Sequence, residues 1–209
     1  MKVKKYLYYF AVIVFVTSCR TISIPNNKPL DNIVLVTGDT LYGKVDYLKE
    51  RFVISKFYKR IRLIDTNGKK KKIKPKNVIS YRVNGTNYES FILNEQTRIF
   101  SNGRFYDTRY SIDNNGTQHF LKVIRKGHLL YYELEWIDVD NNDIQTLDLV
   151  KKAEDKFFIR ADNGIFGISK KVLHNYLSDC PKIQEKLMQK DFKWVFQVVD
   201  FYNENCVRE

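Results

Sequence analysis

The chain has 209 residues, 44% of them hydrophobic and 29% charged, which allows one ordinary domain with a small appendage and excludes a disordered chain. Only 9 glycines and 4 prolines exclude collagen-like and Pro/Gly-rich low-complexity architectures. The net charge is +12, and 14 Tyr, 14 Phe and 2 Trp supply side chains suited to half-buried pleated surfaces.

Lys2, Lys4 and Lys5 precede a short apolar run from Tyr6 to Val16. The run is too short to cross a bilayer core, which needs roughly 20 apolar residues. The order of positive, apolar and small residues is that of a secretory signal peptide. Val16, Thr17, Ser18 and Cys19 resemble a bacterial lipoprotein lipobox, position by position. The resemblance implies cleavage before Cys19, removal of residues 1–18 and acylation of the new N-terminal cysteine at sulfur and amine. Each buried CH₂ of an acyl chain contributes about 0.8 kcal/mol, and two or more chains anchor stably. Arg20 follows Cys19, with no Asp at that position. In lipoproteins of two-membraned bacteria this pattern implies transfer to the outer membrane, with the facing side left open.

Residues 19–31 comprise the cysteine and a tether with two prolines, two asparagines and no apolar period. Residues 32–168 read with a period of two. Ile79, Tyr81 and Val83 alternate with Ser80 and Arg82; Tyr106, Thr108, Tyr110 and Ile112 alternate with Asp107, Arg109 and Ser111; Leu130, Tyr132, Leu134 and Trp136 alternate with Tyr131, Glu133 and Glu135. Such alternation predicts strands with one wet face. Turn residues separate them: Thr37-Gly38-Asp39, Asn67-Gly68, Asn84-Gly85, Asn102-Gly103, Asn114-Asn115-Gly116, Lys126-Gly127, Asp140 to Asp143 and Asp162-Asn163-Gly164. The expected fold is mainly β: an antiparallel meander forming a sandwich or partly open barrel. Tyr106, Tyr110, Tyr132 and Trp136 are expected in its core.

Residues 169–209 change to a helical period. Ser169 is placed to cap a helix over 170–177, Pro181 to open a second, and Asp191 to cap a third. In the third, Phe192, Val195, Phe196, Val199 and Tyr202 form an apolar stripe expected to pack on the β domain.

With Cys19 assigned to lipid, Cys180 and Cys206 remain, an even pair in an oxidising compartment. They are read either as a disulfide or as separate buried thiols, because a tight helical pair turning near Lys190 would set Cys180 opposite Phe201. His119, His128 and His174 lack any ligand spacing, although His119 and His128 flank a hairpin across which they could meet. Asp138, Asp140, Asn142 and Asp143 imitate the start of a calcium loop, but Asp143 stands where Gly is needed and Leu149 where a bidentate Glu is needed. A polar turn is the better reading, and no metal or cofactor is expected. Lys69, Lys70, Lys71, Lys72, Lys74 and Lys76 form the densest basic run. They are read as a solvated hairpin edge that discourages strand pairing, with contact to an anionic lipid or glycan surface as the alternative. No aromatic-interleaved nucleic-acid motif is present, and nucleic acid is not an expected partner. No nucleophile elbow, phosphate loop or dinucleotide fingerprint occurs.

Gly38-Asp39-Thr40-Leu41-Tyr42-Gly43-Lys44-Val45, Phe120 to Ile124 with Gly127 and Leu130-Tyr131, and Ser178-Asp179-Cys180-Pro181 with Tyr202 to Cys206 resemble a group of uncharacterised bacterial secreted lipoproteins. The resemblance spans most of the chain after Cys19 and supports the architecture; it brings no mechanism. The functional expectation is a non-enzymatic binding or structural module at the cell envelope. It would be held to the outer membrane by lipid, with an envelope protein or anionic surface as further partner. The alternative is a carrier holding a small apolar ligand in a β cavity.

Overall fold

The computed structural model describes residues 31–46, 61–99, 106–137, 144–164 and 167–206. The signal segment, Cys19, the tether up to residue 30, Asn102-Gly103 and the calcium-like residues Asp138 to Asp143 lie outside the described residues. Eleven strands are described: β1 (Asp31–Leu35), β2 (Thr40–Asp46), β3 (Ile61–Ile64), β4 (Lys70–Ile73), β5 (Val78–Val83), β6 (Thr86–Ile99), β7 (Tyr106–Ile112), β8 (Thr117–Arg125), β9 (Leu129–Ile137), β10 (Ile144–Lys152) and β11 (Phe157–Arg160). Three helices follow: α1 (Lys170–Tyr176), α2 (Pro181–Gln189) and α3 (Val195–Asn205). The fold is mainly β with a helical tail. Its first strand starts at Asp31, whose carboxylate accepts the Val45 N–H at 3.1 Å and the Asn84 N–H at 2.8 Å. Asp31 therefore belongs to the sheet and not to the tether.

The strand order is β4-β3-β2-β1-β5-β6-β7-β11-β10-β9-β8, and β8 pairs back to β6. That last pairing closes β6 to β11 into a six-stranded antiparallel barrel, with β1 to β5 as a sheet extending from it. The long β6 makes this branching possible. One edge carries β5 along Thr86–Glu89 and then β7 along Leu93–Ile99, while the other carries β8 along Tyr88–Leu93.

Local turn chemistry places the hairpins. Asn84 (φ 48°) and Gly85 (φ 83°) supply the two positive φ angles of a tight turn between β5 and β6. Asn114-Asn115-Gly116 does something else. The chain leaves β7 opposite Leu93 and enters β8 opposite the same Leu93, so this turn steps across β6 and joins strands that do not pair. A Cβ on Gly116 would lie 2.1 Å from the Leu93 carbonyl oxygen, so the step requires glycine.

Period-two alternation fills the barrel. Leu93, Leu121, Tyr132, Leu147, Leu149 and Phe158 form its interior, with Leu130 and Leu134 packed against them. Phe91, Tyr132 and Phe158 meet edge to face at centroid distances of 5.4, 5.1 and 5.5 Å. Each such pair adds about 0.5–1.5 kcal/mol beyond its area burial. Leu149, at the would-be final calcium-loop position, is one of these fully buried side chains. The opposite face of β9 is not wet where the sequence suggests. Leu129 and Tyr131 are buried with Val150 and Ile159 under the helices. Ile79 departs in the other sense: a register slip opposite Val34/Leu35 turns it outward, 47% exposed, and Val78 takes the core position.

The extending sheet has its own core of Ile33, Val45, Leu63, Ile73, Tyr81 and Phe120. Tyr81 stacks on Tyr88 at 4.8 Å. Tyr88 and Glu89 face opposite sides of β6, because successive strand residues alternate. Tyr88 joins the extending-sheet core, whereas Glu89 lies on the side of Phe91 and Leu93 that faces the barrel interior. The barrel lumen is thus on the same side as the face of the extending sheet opposite its core.

The helices bury Leu173, Leu177, Ile183, Leu187, Val198 and Val199 against the barrel. Pro181 opens α2 as expected, and Ser169 stands before α1 but makes no side-chain cap. Asp191 does not cap α3. The helix starts at Val195, and Gln197 Oε1 accepts the Lys193 and Trp194 N–H groups at 2.8 and 3.0 Å. Starting there, the buried stripe is Val195, Val198, Val199 and Tyr202. Phe196 turns outward, 40% exposed, under the Arg125 guanidinium.

Candidate functional site

Lys70, Lys71 and Lys72 form most of β4, the outermost strand of the described sheet. Lys69, Lys74 and Lys76 flank it, and all six ammonium-bearing residues are exposed. Asp65 builds the turn that presents them, accepting the Asn67 and Lys69 N–H groups at 2.9 Å each. Register separates the lysines by face. Lys72 stands opposite Arg62, and Lys70 opposite Ile64, which is itself opposite Lys44 of β2. Lys71 stands opposite the buried Leu63 and so points to the other side. The face opposite the core, which no described element covers, consequently carries Lys70, Lys72, Arg62 and Lys44 on three neighbouring strands, with Tyr42 two residues from Lys44 and 58% exposed. The acidic residue contributed by these three strands, Asp46, is set opposite Arg62 in the register.

Where that face meets the barrel, a polar cluster lines the mouth. Lys126 Nζ donates to both Glu89 oxygens at 2.7 Å and to Tyr132 Oη at 2.7 Å. Tyr132 donates its hydroxyl proton to Glu89 at 2.6 Å. Burial, followed by the Glu89 carboxylate, pushes the Tyr132 phenol well above its ordinary range, so it acts as a fixed donor. Lys151, whose Cα is opposite Leu130, closes the end of the barrel. Its ammonium donates to the carbonyls of Lys152, Ala153 and Asp155 at 2.9, 2.7 and 2.9 Å. Burial holds that ammonium below the usual lysine range.

A second cluster lies on the barrel exterior. Tyr131 donates to Asp148 at 2.9 Å, Asp162 accepts the Asp148 N–H at 2.7 Å, and Arg160 pairs with Asp162 at 3.0 Å. Burial pushes the Asp148 carboxyl up to about 6 against the opposing Tyr131 hydrogen bond, with Asp162 and Glu133 adding repulsion. Nearby, burial works against the Lys122 ammonium. Glu133 at 2.7 Å and Glu135 at 3.3 Å outweigh it, and the group sits above the ordinary lysine range.

The helical tail is fastened by a third set. Tyr176 donates to Asp155 and accepts the Lys152 N–H at 2.7 Å. Lys152 Nζ and Tyr202 Oη both donate to Asp179, at 2.8 and 2.5 Å. Cys180 and Cys206 are joined in a disulfide with Cα atoms 5.5 Å apart. The pairing is possible because α2 and α3 are separated by the five-residue segment Lys190–Trp194 rather than a tight turn at Lys190, which moves Cys206 alongside Cys180.

His119 and His128 do not meet. His119 is near the start of β8, opposite Phe91, and His128 lies beyond its far end. Burial lowers the His119 pKa. Among the described residues no group of three or more His, Cys, Asp or Glu could hold a metal ion, and no helix is long and apolar enough to cross a membrane. The carboxylates of all three clusters are engaged by tyrosines, lysines or backbone N–H groups. What sequence reasoning missed is Lys44: its place beside Lys70 depends on how β2, β3 and β4 pair, which no local pattern announces. No known protein family, curated protein or solved structure matches the chain.

Proposed function

We propose that the chain is a lipid-anchored lipoprotein of the outer membrane, acting as a non-enzymatic binding or structural module at the cell envelope. The Val16-Thr17-Ser18-Cys19 lipobox supports the anchor and the address. The loose resemblance of three further segments to bacterial secreted lipoproteins agrees with it. The observation that carries the module reading is the packed barrel interior. Phe91, Leu121, Tyr132, Leu149 and Phe158 occupy the space that a carrier would keep for its ligand. The polar clusters work in the same direction, since their tyrosines and carboxylates are committed to one another and to lysines. Binding then falls to the outer surfaces, among which the lysine-rich sheet face carries Lys44, Arg62, Lys70 and Lys72.

Growth with labelled palmitate tests the anchor. The native chain is expected to incorporate label and Cys19→Ser to incorporate none; equal incorporation by both would overturn it. Native mass measurement of the purified protein tests the module reading. It should show the polypeptide and its acyl groups without a further apolar molecule, and a stoichiometric small ligand would favour a carrier.

A further inference from the structure

We infer that the face of β2, β3 and β4 bearing Lys44, Lys70 and Lys72 lies flat against the phosphate-bearing surface of an anionic bilayer, giving the anchored domain a fixed orientation. The inference rests on the lipoprotein reading and deepens it by naming the surface that the module meets. Its basis is register. Protection of a free sheet edge accounts for lysines on β4, on either face of the strand. It leaves Lys44 unexplained, because β2 is an interior strand two places from that edge. Lys44 shares its face with Lys70 and Lys72 and excludes Lys71.

The spacing suits a planar array of phosphates. Residues two apart along a strand are separated by roughly 6.6 Å, and strands by about 4.8 Å, so Lys44, Lys70 and Lys72 fall within about 12 Å of one another. None of the three is in an ion pair with a described residue. Tyr42, exposed on the same face, offers the amphipathic ring that settles at headgroup depth. The charge complementarity is with the lipid surface to which the acyl chains would confine the domain, and each lysine near such a surface is worth about a fivefold gain in association.

The test uses the mature acylated protein in vesicles of phosphatidylcholine, alone or mixed with phosphatidylglycerol, with a water-soluble amine reagent read by peptide mass. Lys44, Lys70 and Lys72 are expected to react several-fold more slowly in the anionic vesicles than in the neutral ones. Lys182 and Lys190 on α2 and its C-cap should be unchanged, and added salt should erase the difference. Lys70→Gln with Lys72→Gln, both at exposed positions, should restore fast labelling of Lys44. Equal rates in the two vesicle types would overturn the inference, as would equal protection from inorganic phosphate added to neutral vesicles. Intact mass, taken on the same sample, decides the anchor separately. A chain without acyl mass sinks the lipoprotein reading, while the labelling contrast still decides the face.

Discussion

Asn203 pairs with Leu129 as a strand residue would. Its Oδ1 accepts the Leu129 N–H at 2.8 Å, and its Nδ2 donates to the Leu129 carbonyl at 3.0 Å. Leu129 is fully buried, so α3 satisfies both backbone groups at the start of β9 where no strand reaches them. Asn203→Ala should cost about 1–3 kcal/mol, because it orphans a buried donor and acceptor together. Urea unfolding measures the loss. A change of only a few tenths would mean that water replaces the amide at no penalty.

Gly116→Ala should be more damaging. The added methyl would press on the Leu93 carbonyl at the point where the chain crosses β6. Relief requires moving β6 or the crossover, so a loss above about 3 kcal/mol is expected, in the range of severe backbone substitutions. Thermal melts of the variant at native-like stability would contradict the crossover geometry.

How much of this was legible in the sequence depends on the range of the interaction. The turn at Asn84-Gly85 and the lumen-facing row Leu130, Tyr132, Leu134 follow from local chemistry and period, and both are read correctly from residue types. The crossover at Asn114-Asn115-Gly116 has the same composition as a hairpin turn, and only the pairing of β7 and β8 to a common strand distinguishes it. Tyr131 alternates as a wet residue but is buried by helices some 40–70 positions later in the chain. Phe196 fits an i, i+4 stripe until the helix is found to begin at Val195. Lys44 and Lys70 meet only through the register of three strands.

The disulfide closes a separation of 26 residues. Loop-closure arithmetic then gives about 3.5 kcal/mol of stabilisation. Cys180→Ser with Cys206→Ser should lower the melting temperature by several degrees and leave the β-sheet circular dichroism in place, since the barrel core does not include the bond. Two free thiols in non-reduced native protein, or no stability loss in the double variant, would contradict the tie.

Asp148 gives a pH signature of definite sign. Burial pushes its folded-state carboxyl up to about 6, above the ordinary 3.8, so between these values the folded state binds the extra proton. Stability from this group rises as pH falls from neutral toward 4, and the ionised form is destabilising at neutral pH. Asp148→Asn, which keeps an oxygen for Tyr131, should therefore stabilise at pH 7.5 by about 1 kcal/mol after solvent screening, and give no gain at pH 4. Denaturant midpoints at the two pH values decide it. An equal effect at both, or a loss at neutral pH, would contradict the raised carboxyl.

The proposed covalent lipid at Cys19 is tested by the intact mass and N-terminal peptide of the protein extracted from native membranes. An acylated lipoprotein should give a chain beginning at Cys19, heavier than its polypeptide by a diacylglycerol and an acyl group. A chain beginning at Met1, or a Cys19 peptide of unmodified mass, would contradict it.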